Sequence, residues 1–268
     1  MMFDIHPSSV PSFFDCPYRW FRDHIHQPIR TIGIAAHAGT SVHKAAETYY
    51  KESIAERRWA KPRDDFKAVA IDTLREKIKD ESPNDLSECD INTLENEVGD
   101  CALNYTQNAE TLCGGELPLA SELTYEVKVK SPIIASVKGT LDIVGKDYIG
   151  DIKTMQKANN PTKYAIQQGI YGVLRKHKGE EVKDFIIHRV ILPKNTIDSV
   201  SILANCDNPF TPAEALIEKS KFYLNTIIRT CNDFQRTGNE LLFRGNPQCL
   251  LCSAKYCAYY FECKWRKE

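Results

Sequence analysis

Cysteines stand at both ends of this chain, and no other feature limits its fold as much. Cys249, Cys252, Cys257 and Cys263 lie close to the C-terminus, while Cys16 sits in a Cys-Pro-Tyr-Arg segment near the start. The short gaps between the last four, after the turn-prone Gly245-Asn246-Pro247-Gln248, let them converge on one centre, which is a ligand pattern and not a packing pattern. If Cys16 joins them, the two ends of the chain are stapled together, and the entropy of closing so long a loop grows only logarithmically with its length. The other five cysteines, Cys89, Cys101, Cys113, Cys206 and Cys231, read as small core hydrophobes.

The 268 residues are 42% apolar and 26% charged, the balance of an ordinary globular chain with enough length for one or two domains. The net charge of −1 neither supports nor excludes a nucleic-acid partner, because such binding depends on where charges sit. No stretch approaches the roughly 18 apolar residues of a membrane span, and the first residues lack a basic region followed by an apolar one. A cytoplasmic location is therefore expected, with thiols free or metal-bound and not paired.

Along the chain, Ser8 or Ser9 can cap a helix over about 10–24 that contains Cys16. Thr40 or Ser41 can cap a second through about Arg57, placing His43 and Glu47 on one face. Residues 63–112 read as two helices broken near 82–85, within a helical insertion spanning 51–118. A β-meander follows over 123–130, 133–144 and 147–153. Asn160-Pro161 opens a helix to about Lys176, strands follow over 185–192 and 199–203, and Thr211-Pro212 begins a long helix to about Gln235.

The chemistry is densest in the meander. If Lys146-Asp147 forms a two-residue loop, Asp142 faces Asp151 on the neighbouring strand. Side chains so paired have Cβ atoms about 4.5–5.5 Å apart, and two like charges there are destabilising unless a cation lies between them. Lys153 shares the face of Asp151 by strand alternation. Oxygen ligands of this kind favour magnesium or manganese, and the lysine beside them can neutralise charge in a transition state.

These residues resemble the PD-(D/E)xK nuclease superfamily, and within it the RecB-like branch that carries an iron-sulfur cluster, including AddB-type nucleases and the iron-sulfur exonucleases of CRISPR adaptation. The resemblance runs through Cys16-Pro17-Tyr18-Arg19, Gly39-Thr40-Ser41-Val42-His43, Gly139-Thr140-Leu141-Asp142, Asp151-Ile152-Lys153-Thr154, Gln167 with Tyr171, and the closing cysteines. It implies an α/β (α+β) fold with a restriction-endonuclease-like core: a mixed β-sheet flanked by helices, an N-terminal helical region and a C-terminal cysteine segment, 247–268, packing with 8–24 in one nuclease domain. By the same resemblance His43, Asp142, Asp151 and the Ile152 carbonyl bind a divalent metal, and Lys153 is the catalytic lysine. Gln167 and Tyr171 line the active site and contact DNA, with Gln168 the alternative to Gln167, and Glu126 supports the metal shell. Leu141 stands where the superfamily's name has proline.

The family's cysteine spacing, Cys-x2-Cys-x5-Cys, is not reproduced, since the chain offers four closing cysteines for three places. Cys16, Cys252, Cys257 and Cys263 are the expected ligands of a 4Fe-4S cluster, with Cys249 spare; four thiolates also suit zinc. Aromatic and basic residues interleave at both ends, Tyr18 to Arg22 and Lys255 to Lys267, and could form a rim for a nucleic-acid strand. The expected function is a Mg2+- or Mn2+-dependent exonuclease acting on single-stranded DNA ends, in recombination, repair or CRISPR adaptation and alongside the proteins of those processes. Two other readings stay open: a non-catalytic DNA-binding or complex-building protein, and a zinc-stapled endonuclease.

Overall fold

A computed structural model describes residues 2–26, 33–81, 83, 85–86, 89–157, 159–203 and 213–266. A mixed sheet lies between two helical layers, so the expected class holds. The strands are β1 (Phe3–Ile5), β2 (Ala120–Lys128), β3 (Ile134–Val144), β4 (Tyr148–Met155), β5 (Asp184–Ile191) and β6 (Thr196–Ser201), in the order β1-β3-β4-β5-β6 with β2 also paired to β3. On one face pack α1 (Val10–Asp15), α2 (Pro17–His24), α6 (Ala165–His177) and α7 (Ala213–Thr237). The other face is covered by α3 (Ile34–Glu56), α4 (Asp64–Asp80) and α5 (Ile91–Leu112), whose core includes Ile143, Ile152 and Val190 of the sheet.

The topology of β3 prepares the site. One edge pairs antiparallel with β2 from Ala120↔Val144 to Lys128↔Ser136. The other edge is divided: β1 runs parallel along Ile134–Val137, and β4 pairs antiparallel only at Ile143↔Gly150 and Val144↔Ile149. Between these two partners the edge at 138–142 has no ladder among the described residues, and the sheet opens there. Parallel pairing of β4 with β5 over its whole length keeps β4 straight beyond the opening.

Several expectations are corrected. The first helix is two, because Cys16 adopts φ −155°, ψ 94°; the residue before a proline is pushed out of the helical region, and Pro17 follows it. Cys16 thus sits at a kink between helices, half-buried, its sulfur accepting the Asn246 N–H at 3.5 Å. The second helix begins at Ile34, and Thr40 and Ser41 lie inside it, donating to the carbonyls of Ala36 and His37. The boundary at 51 falls in the middle of α3, and α3, α4 and α5 form one layer against the sheet. β1 had no counterpart in the sequence reading, and the helix after Pro161 starts as one 3-10 turn. Cys101, Cys113 and Cys231 are core residues, whereas Cys89 is only half-buried. Cys206 and the Thr211-Pro212 cap lie outside the described residues.

Candidate active site and thiol cluster

Gly145 donates its N–H to the carbonyl of Tyr148 at 3.0 Å, closing a two-residue loop over Lys146-Asp147. The register that follows places Asp142 opposite Asp151, but the strands have already parted there. In place of the next ladder bond, Asp142 Oδ2 accepts the Ile152 N–H at 2.7 Å. A carboxylate thus fills the opening in the sheet, held from below by β4.

His43 descends from α3 onto the same carboxylate, with Nδ1 3.4 Å from Asp142 Oδ2. Gly39, one turn earlier on α3, faces Thr154 of β4, where a Cβ would lie 3.8 Å from the Thr154 Cβ, an ordinary contact. From β2, Glu122 completes a group in which ligand atoms of His43, Glu122 and Asp142 all lie within 4.8 Å of one another. Glu122 stands directly across from Asp142 in the β2–β3 register, and its φ of 52° is left-handed, an uncommon conformation for a glutamate inside a strand.

Asp151 is 2% exposed and is gripped by its own strand neighbour: Lys153 Nζ lies 3.0 Å from Oδ1 and 2.7 Å from Oδ2. The aromatic ring of Tyr164 lies 5.3 Å from the ammonium. Lys153 lines an open cleft of about 490 Å³ together with His43, Glu122, Asp142 and Glu47, whose carboxylate is held by Lys44 and Lys51, while Asp151 lies buried beneath Lys153.

The charges divide unequally. Burial raises the Asp151 carboxyl and Asp142's charge adds to this, so despite Lys153 it is pushed up to about 6. Burial acts the same way on Asp142, but His43, Lys153 and the Ile152 N–H outweigh it and hold that carboxyl below its ordinary value. Burial disfavours the charged forms of His43 and Lys153, yet the two aspartates hold both above their ordinary values. Glu122 is pushed up to about 7, by burial first and then by the charge of Asp142. The carboxylates of Glu122 and Asp142 in the cleft and of Asp151 buried beside it, with one histidine and one ammonium, carry more negative charge than they can neutralise among themselves, which is the condition a divalent cation relieves.

On α6, Gln167 and Tyr171 are buried and bonded to each other at 3.2 Å, beside the opening in β3 and close enough to Asp151 for its charge to bear on Tyr171. Gln168 is wholly buried, and among the described residues neither of its side-chain polar atoms has a hydrogen-bond partner. Glu126 does not meet the cleft: it is exposed on β2, paired with Lys128, four residues from the position that faces Asp142. The glutamate sequence reasoning missed is Glu122. A β2–β3 hairpin centred on Pro132 would have found it, since that centre sets 122 against 142.

At the chain's ends, Cys16, Cys249, Cys252, Cys257 and Cys263 line one small void together with Tyr18, Tyr260 and Trp265. The charges of Cys16 and Cys263 bear on Cys257, and those of Cys16 and Cys252 on Cys263, while burial raises both Cys257 and Cys263. The closing segment is fastened to α1 and α2: Tyr259 donates to Asp23 at 2.7 Å, Arg22 reaches Glu262 at 3.0 Å, and Asn246 Nδ2 donates to the Asp15 carbonyl at 2.9 Å. Of the terminal aromatics, Trp20, Phe21 and Tyr259 are buried and Tyr18, Tyr260 and Trp265 half-buried. Tyr256 and Phe261 stay outside, 54% and 75% exposed.

A family model described as the PD-(D/E)XK nuclease superfamily matches residues 5–264. The chain belongs to that superfamily. The match spans both helical layers, the sheet and the cysteine segment, so the acidic cleft lies in a nuclease fold. No curated protein matches the chain. Among solved structures, the crystal structure of SSO0001 aligns over 97% of each chain at 13% identity with a TM-score of 0.33, a likeness too low to bear on this chain's site. No helix among the described residues of this nuclease-superfamily chain is long and apolar enough to cross a membrane.

Proposed function

We propose that this protein is a metal-dependent DNA exonuclease acting on single-stranded ends, with a structural 4Fe-4S cluster joining its termini. The observation that carries the reading is the meeting of His43, Glu122 and Asp142 beside the Asp151–Lys153 pair where β3 loses its ladder. A metal here would be held by His43, Asp142, Asp151 and the Ile152 carbonyl, with Glu122 alongside. Bound there, a magnesium or manganese ion supplies Lewis-acid stabilisation of a phosphoryl oxygen and lowers the pKa of water.

The chain's own residues do the rest. Lys153 is protonated, partly open to the cleft and fixed by Asp151, so it presents a positive charge to the scissile phosphate and can orient the attacking water. Asp142 keeps its negative charge because His43 and the Ile152 N–H stabilise it. Gln167 and Tyr171 form a rigid pair on the side of the opening away from α3, suited to positioning a strand.

The cluster reading is supported by donor chemistry: the thiols of Cys16, Cys249, Cys252, Cys257 and Cys263 surround one void, and four thiolates are the ligand set of a 4Fe-4S centre.

End-labelled linear single strands and closed circular single strands of the same sequence, incubated with Mn2+, test the function. The linear strand is expected to be shortened progressively from an end and the circle to survive. Rapid cleavage of the circle would overturn the exonuclease reading.

A further inference from the structure

Arg175 lies on α6 and is 1% exposed, yet nothing about hydrolysis calls for a buried guanidinium there. Both terminal nitrogens of its fork bond to one turn. Nη1 donates to the carbonyls of Gly145 at 3.1 Å and Tyr148 at 2.8 Å, and Nη2 donates to the carbonyl of Lys146 at 3.3 Å. Nε donates to Glu180 at 2.8 Å, and the same Glu180 oxygen accepts the Tyr125 hydroxyl at 2.8 Å. Three carbonyls of a four-residue turn are thus gripped by one planar fork, and the fork is itself held by a carboxylate tied to β2.

That turn is the joint between the two strands that carry Asp142 and Asp151. The β3–β4 ladder has only the pairs Ile143↔Gly150 and Val144↔Ile149 before the strands part. So few ladder pairs leave the separation of the two aspartates poorly determined by the sheet itself. Gln167, Tyr171 and Arg175 are also spaced four apart, so they occupy one face of α6. The same helix face that carries the Gln-Tyr pair therefore ends in a clamp on the turn that carries the acids.

We propose that Arg175 is a positioning residue for the active site: its grip on the Gly145–Tyr148 turn fixes the spacing of Asp142 and Asp151 and registers Gln167 and Tyr171 against them. The inference rests on the nuclease reading above. Lysine keeps the charge but carries its three donors on a single nitrogen, so Arg175→Lys cannot reproduce the two-pronged grip on the turn together with the bond to Glu180.

The test compares wild type, Arg175→Lys and Leu74→Ala, the last a core truncation in α4, away from the turn. Hydrogen exchange of the metal-free proteins reports the joint directly. In Arg175→Lys the Gly145 and Ile152 amides are expected to exchange at least about tenfold faster than in wild type, with α4 and α5 unchanged; Leu74→Ala should loosen α4 and α5 and spare the turn. Mn2+ affinity by calorimetry should fall about tenfold or more in Arg175→Lys and stay within twofold of wild type in Leu74→Ala. Unchanged exchange at Gly145 and Ile152, or equal effects of both variants on those amides, would overturn the proposal. Wild type that binds no Mn2+ would instead sink the nuclease reading while the exchange result still judged the clamp. Should Arg175→Lys fail to fold, Glu180→Gln, which removes the fork's only ion pair, is expected to show the same local pattern in weaker form, and its absence would count equally against the idea.

Discussion

Gly139 offers a sharp test of how the opening in β3 is built. A Cβ added there would lie 2.7 Å from Pro7 Cγ and 2.7 Å from Tyr171 Cε1, with Pro7 Cδ at 3.1 Å. Carbon atoms in comfortable contact sit about 3.5–4.0 Å apart, so Gly139→Ala is short by nearly 1 Å on two sides at once. Neither neighbour yields easily: one is a proline ring, and the other is a tyrosine pinned to Gln167. Overpacking of this kind costs about 1–3 kcal/mol. At about 2–4 °C per kcal/mol for a chain of this size, the unfolding midpoint should fall by roughly 2–12 °C. If the clash is relieved by moving Tyr171 about 1 Å, cleavage should drop on the order of 100-fold, beyond what the loss of stability explains. Calorimetry and a nuclease assay at a temperature where both proteins are folded read the two effects. A Gly139→Ala protein with the wild-type midpoint and wild-type cleavage would refute the packing of α6 on this strand.

Affinity for Mn2+ should fall steeply in acid. A carboxyl must lose its proton to bind the ion, and Asp151 at about 6 and Glu122 at about 7 are both neutral at pH 5. Calorimetric affinity is thus expected to rise roughly 100-fold or more from pH 5 to pH 8 and to level off above, whereas a flat profile would show that neither carboxyl meets the metal. Glu122→Gln should weaken Mn2+ binding about tenfold or more and Glu126→Gln hardly at all; the reverse order would return the role to Glu126. Anaerobically purified protein should be brown with iron and sulfide, keep its visible absorption in Cys249→Ser and lose it in Cys263→Ser. A colourless wild type containing zinc would contradict the cluster.

The pair Asp142 and Asp151 was legible because a two-residue loop leaves no freedom of register once Gly145 and the strand-forming runs around it are recognised. Glu122 was not, because the β2–β3 loop is longer and its centre at Pro132 is fixed by packing and not by turn chemistry alone. Cys16 sat in plain view before Pro17, and the restriction that proline places on its predecessor already argued for the kink. The start of α3 was hidden by Gly39, which reads as a linker residue because glycine costs a helix about 1 kcal/mol. In the fold that same glycine lies inside α3, one turn before the His43 that reaches Asp142. β1 is three residues long and pairs in parallel with a strand some 130 positions away, as in Asp4↔Ser136. Local pattern carries no trace of such a partner.

The central claim is that Asp142, Asp151 and Lys153 form one phosphodiester-cleaving site at the break in β3. Single-turnover cleavage of an end-labelled DNA strand by wild type and Lys153→Ala, with Mg2+ or Mn2+ at pH 8, examines it most directly. The account predicts metal-dependent cleavage by wild type and a loss of at least about 100-fold in the variant, with both proteins equally folded. Equal rates in the two would contradict it.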